Sequence, residues 1–285
     1  MAIIGTEDPL AVAAIDAIHA GDLARLRRLL AENRDLATVR LGTDDAHGMT
    51  RSLLHVATDW PGHFPNVAVT IATLVDAGAE VDARFTGPHT ETPLHWAASS
   101  NDVEALDALI DAGADIEARG AVIADGTPLT DAVAFAQWNV ARRLVERDAH
   151  TPLREAAALG QMARVEECCP SDPPPTADDL TQALWYACHG GQGAAAEYVL
   201  ERGADLNWIS TLGPAHTPRR RPTRGPHRAG RLATHPRRQV DERPHQLNGP
   251  RTKSVTRSTG LDESDGPKSA TTPSIWSTGA SDTVV

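Results

Sequence analysis

Apolar residues in this chain recur with a helical period, but in short bursts. Between Val103 and Ala112, the residues Ala105, Leu106, Leu109 and Ile110 fall three and four positions apart, with Glu104, Asp107 and Asp111 among them. That spacing places one apolar stripe on a helix of about three turns. The burst before it, "TPLHWAA" (92–98), is shorter. Thr92 is suited to cap it, and Pro93 falls at the first helical position, where a missing N–H is no loss. The pattern therefore predicts a helix from Pro93 to about Ser99 and a break at "SND", with Asn101 in the turn and Asp102 able to cap a second helix, predicted over about 103–112. Gly113 then supplies the left-handed residue that ends a helix, and "ADIEAR" leads out as an extended finger.

The same order of elements returns along the chain. "LVDAGAEVDAR" (74–84), "LIDAGADIEAR" (109–119) and "VLERGADLNWI" (199–209) align, and "LVERDAH" (144–150) joins them with Asp148 in the glycine slot. Gly78 to Gly113 is 35 residues, and Gly113 to Asp148 is 35 again. Relatives of "TPLHWAA" stand at "SLLHVAT" (52–58), "TPLTDAV" (127–133), "TPLREAA" (151–157) and "QALWYAC" (182–188). A pair of helices this short cannot bury its faces alone. Stacking on like neighbours supplies the missing surface, so the repeat implies a solenoid.

The period, the Thr-Pro-Leu-His-x-Ala motif, the Gly-Ala-Asp ending and the two-helix pattern resemble the ankyrin repeat. The resemblance covers roughly 8–209 in six units, and implies an all-α ankyrin-repeat solenoid of stacked helix pairs with finger loops. The first unit, 8–41, reads as a cap without the Thr-Pro-Leu motif. The second, about 48–84, carries an insertion, "DWPGHFPN" (59–66), between its helices. The third and fourth span about 88–119 and 123–150. The fifth, 151–169, comes with no finger before it, because Thr127 to Thr151 is only 24 residues. A proline-rich connector, "CCPSDPPPTADD" (168–179), precedes the sixth, about 176–209.

The resemblance also implies roles. His55 and His95 are expected to hydrogen-bond backbone groups of the neighbouring finger rather than to catalyse. Binding is expected through finger tips and the exposed ends of the first helices. Carried over by position, that surface is Arg51, Asp59 and Trp60 in the second unit, then His89, Glu91, Ser99 and Ser100, then Phe135, then His189. Phe135 is the most informative, since a bulky aromatic at an exposed position suggests an apolar contact. Trp60, His63 and Phe64 sit in the insertion, where two readings stand: a contact loop, or a loop folded back on its own repeat. Trp96 and Trp185 are expected to fill core or inter-repeat space.

Composition narrows the partner. Residues 1–209 hold 14 Arg, no Lys and 32 Asp plus Glu, a net of −18, so a partner with basic character would be steered toward them and nucleic acid repelled. Aromatics are only 4%, which suits a core of Ala, Leu, Val and Ile in close-packed helices. Cys168, Cys169 and Cys188 are too few and too oddly spaced for a disulfide framework or a zinc pattern. The start is acidic where a secretory signal needs a basic region, and no run approaches a membrane span. A cytoplasmic protein is expected. There is no glycine-rich phosphate loop, His-Glu-x-x-His or nucleophile elbow, so neither catalysis nor a cofactor or metal is expected. The acids Glu80, Asp82, Asp111, Asp115 and Glu117 read as a solvated face.

Residues 210–285 lose the repeat. They carry 13 Lys plus Arg against 6 acids, and nine prolines. At face value this is a disordered basic Pro/Arg-rich tail, and through it nucleic acid or another polyanion is the alternative partner. A second reading starts from the absence of Lys from 1–209, which suggests GC-rich coding. With freely chosen synonymous codons, Ser210–Val240 reads in the adjacent frame as Thr-Pro, two small residues, an apolar helix and Arg-Gly-Ala, then a stop. The tail is then a frameshifted terminal repeat, and the sixth unit would keep an uncapped apolar face involving Leu184, Val199 and Leu200.

Overall fold

The computed structural model describes residues 2–43 and 48–208. The tail, its shifted-frame alternative and the nucleic-acid reading therefore lie outside the described residues. Within them, helices are arranged in pairs: α1 (Pro9–His19) with α2 (Leu23–Glu32), α3 (Leu53–Thr58) with α4 (Val67–Asp76), and α5 (Pro93–Ser99) with α6 (Val103–Asp111). Next come α7 (Pro128–Ala134) with α8 (Trp138–Glu146), α9 (Leu153–Leu159) with α10 (Met162–Cys168), and α11 (Ala177–His189) with α12 (Gly193–Glu201). The first helices of the pairs pack side by side in one row from α1 to α11, and α2, α4, α6 and α8 form a second row.

The third pair shows why these residues fold this way. Pro93 opens α5, and Thr92 forms a capping box with His95. Asn101 takes a left-handed turn at φ 57°, and the Asp102 carboxylate accepts the Ala105 N–H at 3.0 Å. Ala105, Leu106 and Leu109 are fully buried. Ala112 caps α6, and Gly113 comes next at φ 93°, a conformation that strains any residue with a Cβ. Alanines such as Ala97, Ala98, Ala132 and Ala141 are completely buried, and their size lets neighbouring helices approach closely. The core forms two clusters. One runs from Ala11 to Ala149, joined by Ala158 and Tyr186, and the other from Ala156 to Ala204. They meet at the fifth pair, where the finger is missing.

The fold is mostly helical, as the repeat implies, and also contains a small sheet. Strand β1 (Ile3–Ile4) pairs in parallel with β2 (Arg40–Gly42), which pairs antiparallel with β3 (Thr50–Arg51). Thr50 then exchanges two backbone hydrogen bonds with Thr86 in the next finger. Strands of two or three residues are too short to show a period of two, and their partners lie far away in sequence. Leu184 and Val199 are buried and Leu200 is half-buried in the second cluster, while Leu206 and Trp208 are exposed apolar residues near that end.

Two acids of the solvated face, Asp82 and Glu117, are also staples between fingers. The Asp82 carboxylate accepts the Asp115 N–H at 3.1 Å, and Glu117 accepts the His150 N–H at 2.7 Å. Each joins one unit to the next. A matching arginine ladder runs beside them. Arg40 is buried and donates to the Thr50 carbonyl at 2.7 Å and to the Arg84 carbonyl, while Arg84 donates to the carbonyls of Thr90 and Arg119. It ends at Arg119, where the finger row stops.

Candidate functional site

The insertion after α3 is pinned at several points. Phe64 stacks on His19 of the first pair, with ring centroids 4.3 Å apart. Asn66 donates to the Gly21 carbonyl at 3.0 Å, and the His63 N–H donates to Asp102 of the third pair at 2.5 Å. The loop thus clamps three successive pairs. Phe64 folds back, but Trp60 does not and is 47% exposed.

Asp59 and Arg51 support Trp60 from beneath. Their side chains pair at 2.6 Å, and the other Asp59 oxygen accepts the Trp60 N–H at 2.9 Å. Burial raises the Asp59 carboxyl from its ordinary value, against the pull of Arg51. Asp59 is buried and Arg51 half-buried, so the exposure expected of Asp59 is not seen.

Ser99 and Ser100 are half-buried at the end of α5, where their hydroxyls donate to the carbonyls of Trp96 and Thr58. Phe135 caps α7 and is 47% exposed. His189, at the end of the long α11, reaches two pairs back and donates from Nε2 to the Val133 carbonyl at 3.0 Å. Its ring stacks on Trp185 at 5.1 Å and tilts against Trp138 at 5.4 Å. Trp60, the two serines and Phe135 therefore succeed one another along the ends of α3, α5 and α7: two half-exposed aromatics with small polar residues between.

Beneath this row lie groups with restrained chemistry. The Nδ1 of His55 accepts the Ser52 N–H, and that of His95 accepts the Thr92 N–H. Both rings therefore carry their hydrogen on Nε2 and give it to a finger carbonyl, His55 to Glu91 at 3.1 Å and His95 to Gly126 at 3.4 Å. Burial pushes His55 down to about 3 and His95 to about 4. Neutral, buried imidazoles with both nitrogens engaged are structural links.

The sequence reading missed the acids that gather here. Glu91 was expected on the surface, yet it is 5% exposed. It accepts the Trp96 indole N–H at 2.9 Å and the Val122 N–H at 3.2 Å, and lies 3.0 Å from the His89 ring, itself largely buried. Asp131, fully buried in the next pair, has no hydrogen-bond donor at either oxygen among the described residues and lies against Glu91. Two carboxylates cannot satisfy each other, so Asp131 keeps a proton and donates to Glu91. Burial first, then the Glu91 charge, push Asp131 up to about 9. Burial works to raise Glu91 too, but His89, the neutral Asp131 and the Val122 N–H outweigh it and hold Glu91 below its ordinary value. One pair on, Glu155 is also buried, held by Thr130 at 3.0 Å and Arg154 at 2.9 Å. The signal was present: Asp131 and Glu155 occupy the motif position that Trp96 and Tyr186 fill elsewhere.

Stacked helix pairs, most of them bonded to their neighbours through finger contacts, define a repeat solenoid. Residues 68–155 match the family of ankyrin repeats in three copies. This segment is built of ankyrin repeats, and such repeats are in general protein–protein interaction modules. No curated protein matches the chain. No helix among the described residues is long and apolar enough to cross a membrane.

Proposed function

We propose that this protein is a cytoplasmic adaptor or regulator that binds another protein along the ends of α3, α5 and α7, with Trp60 and Phe135 as apolar anchors. The observation that carries this reading is their exposure. Of the nine residues expected on the binding surface, these two alone are large apolar side chains left half in water, and the loop presenting Trp60 is clamped to three helix pairs. Rigidly held aromatics are the side chains that dominate protein interfaces. The acidic body supports a partner with a basic surface, because opposite charge speeds encounter.

A protein captured by the full chain and identified by mass spectrometry provides the test. Trp60→Ala and Phe135→Ala should each weaken its binding about 10- to 30-fold. Thermal stability should stay within about 1 kcal/mol of the parent, since both side chains are half-exposed. Added salt should slow association more than it speeds dissociation. Unchanged affinity in both variants would move the interface elsewhere.

A further inference from the structure

The finger row breaks after α8. Thr92 to Thr127 is 35 residues but Thr127 to Thr151 is 24, so α8 passes into α9 through a short turn. On the finger side of the last two pairs lies a cleft of about 600 Å³, walled by His150, Arg154, Arg164, Pro174, Pro175 and Gln182. Its size is that of a ligand pocket.

Position in the repeat says what is missing there. His55 and His95 each donate to the carbonyl of the residue just before the next Thr-Pro-Leu motif, Glu91 and Gly126. Arg154 occupies the same motif position in "TPLREAA". In the next unit the motif is "QALWYAC" (182–188), so the matching residue is Thr181, which lies inside α11 rather than in a finger, and Arg154 makes no hydrogen bond to it. Instead, its Nε–H goes to Glu155 at 2.9 Å, and its two Nη groups donate to nothing among the described residues. The other charged groups of the cleft are engaged. Arg164 donates to the Thr151 carbonyl at 3.0 Å and to Glu167 at 3.3 Å, and Asp179 accepts from the Thr176 N–H at 2.9 Å and hydroxyl at 2.7 Å.

We propose that this cleft is a docking slot for an extended segment of a partner protein, which lies where the finger is absent and presents a carboxylate side chain to the open edge of Arg154. A guanidinium offers a planar fork of donors that a carboxylate meets with two parallel hydrogen bonds. Prolines on the wall restrict its collapse. The slot is separate from the Trp60–Phe135 row and stands or falls independently of it.

A displayed library of random dodecapeptides, panned on the full chain, tests the proposal. The expected enrichment is of peptides with one indispensable Asp or Glu. Changing that residue to its amide, or Arg154→Gln in the protein, should weaken binding at least about tenfold. Phe135→Ala and amidation of the peptide C-terminus should leave it unchanged. Arg154→Gln leaves Glu155 buried without its partner, so an Arg154→Gln/Glu155→Gln double variant, which removes both charges, repeats the measurement if the single one unfolds. The proposal is overturned by enrichment of peptides without an acid, by equal binding to the Arg154 variants, by loss of binding on C-terminal amidation, or by no enrichment.

Discussion

Asp131→Asn should stabilise the protein, and by more at pH 8 than at pH 5. In the fold the Asp131 carboxyl is pushed up to about 9, from an ordinary value of 3.8. A group raised in this way binds its proton more tightly in the folded chain. Its contribution is full below 3.8 and is lost as the pH rises toward 9, because the unfolded chain gives up that proton much earlier. Asparagine keeps a donor toward Glu91 and has no proton to lose. The expected gain is roughly 2–4 kcal/mol at pH 8, shrinking toward zero near pH 4. Urea unfolding of both proteins across that range checks it. A difference that does not vary with pH would mean that Asp131 is ionised in the fold.

The buried histidines act with the opposite sign. His55 and His95 are held at about 3 and about 4, whereas in the unfolded chain they protonate near 6.5. Their contribution is full above 6.5 and is lost as the pH falls toward 4, since the unfolded chain takes up protons that the fold refuses. Between about pH 4 and 6.5, two histidines outweigh one carboxyl, and stability should fall on acidification by roughly 1.4 kcal/mol per pH unit. Above 6.5 the Asp131 slope remains. The parent should therefore be most stable near pH 6.5, and Asp131→Asn should flatten only the alkaline limb. Burial also lowers His19, which steepens the acid limb, and raises Asp59, which opposes that limb as the pH rises from 3.8.

The other large effect is expected at Glu91. Glu91→Ala removes the acceptor of the Trp96 indole and of the Val122 N–H, and takes the carboxylate away from beside the His89 ring and the neutral Asp131. Buried donors left without acceptors cost about 1–3 kcal/mol each, and several are affected together, so a loss of roughly 3–5 kcal/mol is expected. Glu91→Gln keeps an acceptor oxygen and should lose less. It also removes the charge that helps raise Asp131, so the alkaline limb should be shallower. A double-mutant cycle of Glu91→Gln with Asp131→Asn should show strong coupling. Additive effects would mean that the two side chains do not share a proton.

Much of this architecture was legible beforehand. The Thr92–Pro93 start, the Asp102 cap and the Gly113 stop are local signals, each written within a few residues of where it acts, and α5 and α6 fall where those signals put them. The 35-residue period announced the stack, and the insertion stood out because the repeat does not need it. Burial of charge was not legible in the same way. Asp59 and Glu91 look like surface residues by composition, and Asp131 like an ordinary acid in a first helix. Each lies buried because a neighbouring unit covers it, and Glu91 meets its partners 31 and 40 residues away at Val122 and Asp131. His189 likewise meets the Val133 carbonyl 56 residues away, a contact that only the stacking of the pairs creates.

The sequence by itself determined the helix pairs, their caps, their repeat and the finger that is missing, because short-range periodicity and turn chemistry suffice for these. Only the tertiary structure decided which polar groups lost their water and which aromatics kept theirs, because solvent exposure depends on the surface that the next unit lays across each residue.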